Sequence, residues 1–74
     1  MSSEKLVRMA NQIATFFETQ PEERAASGVA GHINDFWEPR MRRQLFEIID
    51  AGGRGLRPLV LKAAASIRRP DPSA

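Results

Sequence analysis

The chain has 74 residues, with 11 Lys and Arg against 9 Asp and Glu for a formal net charge of +2, one tryptophan, one histidine and no cysteine. A chain this short makes at most one domain and buries only about 60% of the surface it exposes when unfolded, so its stability is expected to be marginal. The lack of cysteine excludes disulfides, thiolate metal ligands and thiol nucleophiles, and a lone imidazole cannot make a structural metal site, which leaves docking onto another chain as the source of added stability.

The first predicted helix runs from about Glu4 to Glu18. Leu6, Met9, Ile13, Phe16 and Phe17 recur at helical spacing behind Ser3, a good N-cap residue, and Glu4 puts a negative charge in the first turn. Pro21 then resets the chain, and the spacing Thr19-x-x-Glu22 fits a capping box that opens a second helix. This second helix is rich in small residues, among them Ala25, Ser27, Gly28, Ala30 and Gly31, which lower its propensity but let another backbone come close. Val29, Ile33, Phe36 and Trp37 form its apolar face, and Pro39 forbids the preceding residue from staying helical.

Pro39 also suits the first position of a third helix, in which Met41, Leu45, Ile48 and Ile49 repeat the apolar spacing. Asp50-Ala51-Gly52-Gly53 ends it, glycine supplying the left-handed cap. A fourth helix begins around Leu56 and Pro58, with Leu59, Val60, Ala63, Ala64 and Ile67 apolar and Lys62, Ser66 and Arg69 outward. Pro70 to Ala74 read as a disordered tail. With no strand-like alternation and no internal repeat, the expected fold class is all-α, a small assembly of about four short helices forming one domain over residues 1–69, with 70–74 as the tail.

The stretch from Phe36 to Arg43 carries the strongest functional signal. It joins two amphipathic helices at a proline corner and gathers Phe36, Trp37, Pro39, Arg40, Met41, Arg42 and Arg43, the aromatic and arginine types that dominate partner interfaces. These seven are the candidate partner-binding residues. The carboxy-terminal half is the basic half, so an alternative is a small helical nucleic-acid-binding or regulatory protein using Arg40, Arg42, Arg43, Arg54 and Arg57. A nucleic-acid module would want a broader basic face and a higher net charge.

Catalysis finds little support in the sequence. His32 lies three residues from Asp35, but no second His or any Cys joins them, and so small a chain has no room to enclose a pocket. Gly52-Gly53-Arg54-Gly55 follows a helix, whereas phosphate cradles follow a strand, so it reads as a cap and turn. The serines have no neighbouring base. No apolar run is long enough to span a bilayer, and Met1-Ser2-Ser3-Glu4-Lys5 lacks the basic start of a signal peptide, so a cytoplasmic chain with no membrane partner is expected.

Three blocks go beyond composition. They are Leu6-Val7-Arg8-Met9-Ala10-Asn11-Gln12-Ile13-Ala14 with Phe16-Phe17, then Val29-Ala30, His32-Ile33 and Phe36-Trp37-Glu38-Pro39-Arg40-Met41-Arg42, and last Gly52-Gly53, Gly55-Leu56 and Pro58-Leu59-Val60. In this order and spacing the chain resembles the delta subunit of NAD-dependent, molybdenum-containing formate dehydrogenase, over roughly residues 4–64. One departure is Arg57, which stands before Pro58 where the family leads one to expect an acidic helix cap. The resemblance implies a noncatalytic accessory subunit that binds no cofactor itself. Its partner would be the large catalytic subunit of a hetero-oligomer that carries molybdenum pterin, iron-sulfur clusters, FMN and NAD, with no nucleic acid bound.

Overall fold

The computed structural model describes residues 2–70. Four helices follow in order: α1 (Ser3–Phe17), α2 (Glu22–Phe36), α3 (Pro39–Asp50) and α4 (Pro58–Ala63), the last continued by a 3₁₀ turn over Ala64–Ser66. The chain is all-α, with no strand among the described residues. Of the expected tail, Pro70 is the last described residue, and 71–74 lie outside the described ones.

Local signals place the helix ends. Ser2 rather than Ser3 caps α1: it is extended, and its Oγ accepts the Lys5 N–H at 3.2 Å. The capping box expected at α2 does not form. Pro21 is the N-cap, its carbonyl accepts the Ala25 N–H at 2.8 Å, and the Thr19 hydroxyl donates back to the Phe16 carbonyl instead. Glu22 and Glu23 still favour that helix start by facing its positive end. Pro39 opens α3 at its first turn. At the other end the Gly53 N–H bonds the Ile48 carbonyl at 2.8 Å and the Gly52 N–H bonds the Ile49 carbonyl at 3.0 Å, the paired closure of a Schellman motif. It requires positive φ at Gly52 (116°) and Gly53 (68°), which a side chain would resist.

The fourth helix is shorter than its apolar spacing suggests. It stops at Ala63, and Ile67 stands in extended backbone while remaining buried. Pro70 disfavours helical backbone at Arg69, and the Asn34 side chain from α2 takes the Ser66 carbonyl and the Arg68 N–H where the 3₁₀ turn ends.

The core draws on every helix: Leu6, Ala10 and Ala14 from α1, Ala25, Val29, Ala30 and Ile33 from α2, Trp37 at the corner, Leu45 and Phe46 from α3, and Leu59, Val60 and Ala63 from α4. Helix α2 packs on both α1 and α4, while α1 also packs on α3 and α4. On α1 the sequence spacing favoured Leu6, Met9, Ile13, Phe16 and Phe17, yet Ala10 and Ala14 are fully buried, Met9, Ile13 and Phe17 only partly so, and Phe16 is 72% exposed. The apolar arc of α1 is wider than the surface its neighbours cover, so packing selects one flank. Small side chains let the helices approach closely. Gly28 marks the tightest point, where an added Cβ would stand 2.5 Å from Cδ1 and Cε1 of Phe17.

Candidate functional site

The proline corner forms as its sequence suggests. Phe36 ends α2, Trp37 turns to extended backbone while its N–H still reaches the Ile33 carbonyl at 2.9 Å, and Glu38 precedes Pro39 at the start of α3. The fold then separates the seven candidate residues. Trp37 is buried, at 6% exposure, and Met41 packs partly against the core. Phe36, expected on the same apolar face as Trp37, is 73% exposed, because the extended Trp37 turns away from the helical direction that Phe36 still follows. Arg42 is half-buried and works within the chain: its Nη1 donates to the Arg68 carbonyl at 2.6 Å and its Nε to the Trp37 carbonyl at 3.4 Å. Pro39 and Arg40 are exposed, and Arg40 and Arg43 border one shallow groove with Gln44, Glu47 and Ser3.

The arginines of the nucleic-acid alternative are similarly divided. Arg57 donates from Nε and Nη2 to Glu18 at 2.7 and 2.9 Å, a bidentate pair that raises its already high pKa chiefly through the hydrogen bonds. Its N–H is taken by the Asn11 side chain, so the residue before Pro58 is held by α1 rather than acting as an acidic cap. Arg57 and Arg42 thus have their guanidinium groups engaged inside the chain. Arg69 forms a second bidentate pair with Asp50, at 2.9 and 3.1 Å, and its Cζ sits 4.2 Å from the centre of the Phe46 ring. Hydrogen bonds from Arg69 hold the Asp50 carboxyl below its usual range. These pairs are solvent-exposed, so they orient the chain more than they stabilise it.

Two asparagines that the sequence reading did not single out fasten both sides of α4. The Asn11 amide donates to the Gly55 carbonyl and accepts the Arg57 N–H, both at 2.9 Å. Asn34 repeats the arrangement, donating to the Ser66 carbonyl at 3.0 Å and accepting the Arg68 N–H at 2.8 Å. Each amide bonds a carbonyl and an N–H two residues apart, Asn11 just before α4 and Asn34 at the end of the 3₁₀ turn. The available signal was asparagine within a helix, mid-helix at Asn11 and in the last turn of α2 at Asn34, where its low propensity asks for a side-chain role.

An aromatic groove lies between α1 and α2. Gln12, Ile13, Phe16, Phe17 and His32 line a space of about 340 Å³. Phe16 and Phe17 meet edge to face with centroids 5.0 Å apart, and His32 stacks on Phe36 at 4.8 Å. The lone histidine therefore belongs to an exposed ring pair. The described residues hold no group of three or more His, Cys, Asp or Glu that could bind a metal ion, and no helix long and apolar enough to cross a membrane.

Residues 5–64 match the family model described as NADH-dependant formate dehydrogenase delta subunit FdsD. The chain belongs to the FdsD family. The matched span runs from the first turn of α1 to the start of the 3₁₀ turn, so it takes in nearly all of the four helices, the proline corner, the Schellman closure and the Asn11 clamp, while the backbone that Asn34 holds at Ser66 and Arg68 lies just beyond it. FdsD membership ties the chain to a formate dehydrogenase as its delta subunit. No curated protein and no solved structure matches the chain.

Proposed function

We propose that this chain is a noncatalytic accessory subunit of a cytoplasmic, NAD-dependent formate dehydrogenase, docking on the large molybdenum and iron-sulfur subunit to support assembly, cofactor loading or stability. The observation that carries the reading is the FdsD match across the whole helical core. The surface supports it: a chain with so small a core leaves Phe16 and Phe36 largely exposed, a pattern suited to a partner that covers them. In this reading molybdenum pterin, iron-sulfur clusters, FMN and NAD are held by the other subunits, and the exposed part of the corner, Phe36, Pro39 and Arg40, lies at the interface.

The test is expression of the complex with and without this chain. A tagged chain should retain the large subunit, and its omission should lower yield or molybdenum content while turnover per molybdenum stays close to the parent's. A complex with normal assembly and loading whose turnover per molybdenum fell by orders of magnitude would give the chain a direct part in catalysis and overturn the reading. Arg40→Glu is the informative corner variant, since Arg42→Glu would also break the bonds to Trp37 and Arg68.

A further inference from the structure

We infer that the trough between α1 and α3 receives an acidic segment of the large catalytic subunit, an inference that rests on the accessory-subunit reading. Two adjoining hollows of about 480 Å³ each make up the trough. Arg40, Arg43 and Glu47 border the first, Glu4, Arg8 and Arg54 border the second, and both share Ser3 and Ile48. Val7 and Ile48 are partly buried against the core, so the charged edges flank an apolar floor. The positive charge of this face is not matched within the chain. Lys62, Arg57 and Arg69 are ion-paired to Glu22, Glu18 and Asp50, and Arg42 and Arg68 donate to backbone carbonyls. Lys5, Arg8, Arg24, Arg40 and Arg54 are exposed and have no such partner among the described residues, and of these Arg8, Arg40 and Arg54 border the trough. Arg40 also continues the trough to the proline corner.

Charge selects the occupant. Planar guanidinium groups on both edges match carboxylates, with which they can form bidentate pairs, and the floor between them takes an apolar side chain. Glu4 and Glu47 argue against nucleic acid, because a duplex carries one negative charge per about 1.7 Å of its axis and would set phosphates against both carboxylates. A peptide can instead place its acidic residues opposite the arginines and neutral ones opposite Glu4 and Glu47. A second copy of this chain is disfavoured for a related reason: a two-fold arrangement would set one net-positive trough against another.

The experiment uses the full chain co-expressed with the other subunits of the complex. Arg8→Lys, Arg40→Lys and Arg54→Lys keep the charge and place a primary amine on the trough, which a carbodiimide joins to a carboxylate in contact with it; the products are mapped by mass spectrometry. Each new lysine should link to Asp or Glu residues of one segment of the large subunit, while Lys62, already paired with Glu22, should link to Glu22 and show that the coupling worked. In parallel, Arg8→Glu/Arg54→Glu should weaken retention of the large subunit at least about fivefold near 0.1 M salt. The difference from the parent should shrink near 1 M salt, where the Debye length falls from about 10 Å to about 3 Å. Both side chains are exposed and unpaired, so the isolated double variant should keep its melting temperature within about 4 °C of the parent's. Trough lysines that link only within the chain or to a second copy, retention unchanged by the reversed variant, or nucleic acid bound by the parent and lost from that variant would each overturn the trough proposal and leave the accessory reading standing. Failure of the parent chain to retain the large subunit would bring down both.

Discussion

Gly28 and Gly31 lie one turn apart on α2, and the same substitution should act on them in opposite senses. Glycine inside a helix is less favourable than alanine by about 1 kcal/mol, so each Gly→Ala change starts with that gain. At Gly31 nothing lies within 4 Å of the new Cβ, and the gain is kept. For a domain of this size it raises the melting temperature by about 4–8 °C. At Gly28 the new Cβ would stand 2.5 Å from two ring carbons of Phe17 and 3.1 Å from its Cγ. The close approach extends to Cγ at the base of the ring, which a rotation of the ring about its own axis leaves in place. Either Phe17 leaves its rotamer or α1 and α2 move apart, at the cost of about 1–3 kcal/mol typical of overpacking. Thermal and urea unfolding followed by circular dichroism should place Gly28→Ala below Gly31→Ala by that strain, a gap of at least about 4 °C. Adding Phe17→Ala removes the obstructing ring, so its effect with Gly28→Ala should be non-additive by more than about 0.5 kcal/mol. Equal shifts for the two glycine variants, together with additivity in the cycle, would refute the close contact between Phe17 and α2.

Other perturbations test separate parts of the fold. Trp37→Ala should cost about 3–5 kcal/mol, a large share of the roughly 4–11 kcal/mol expected for the whole chain, while the exposed Lys62→Ala stays within about 0.5 kcal/mol; urea titration measures both. Loss of partner binding by the tryptophan variant must therefore be read beside its unfolding curve. Asn34→Ala removes one donor and one acceptor from the Ser66 to Arg68 backbone and should cost about 1–2 kcal/mol, with hydrogen exchange at the Arg68 amide accelerated and that at the Ile33 amide changed far less. Acidification tests the Asp50 pair. Its carboxyl titrates lower in the folded chain than in the unfolded one, so the stability it adds is present above the unfolded value of 3.8 and is lost as the pH falls through the folded value. Asp50→Asn should flatten that part of the acid limb in a pH series of melting temperatures, and high salt should do so partly in the parent.

The helix boundaries were legible in the sequence wherever a single residue decides them locally. Pro39 fixes its own φ and restrains Trp37's neighbour Glu38, and Gly52 and Gly53 alone can take the closing turn of α3, so the corner and the stop fell where expected. Aromatic type and spacing also pointed to the stretch around Phe36. The sequence did not reveal which flank of each apolar arc would be covered. Helical periodicity ranks positions by angle about one axis, whereas burial depends on where the neighbouring helices lie, and those positions are set jointly by all four. That is why Ala10 and Ala14 are buried and Phe16 is not, and why Trp37 enters the core while Phe36 faces outward. The asparagine clamps were hidden for the same reason. Asn11 reaches residues 44 and 46 positions further along the chain, and Asn34 reaches residues 32 and 34 positions further, separations at which nothing in the local pattern marks the partner. Local sterics write helix ends into the sequence; packing decides which side chains remain free for another chain to cover.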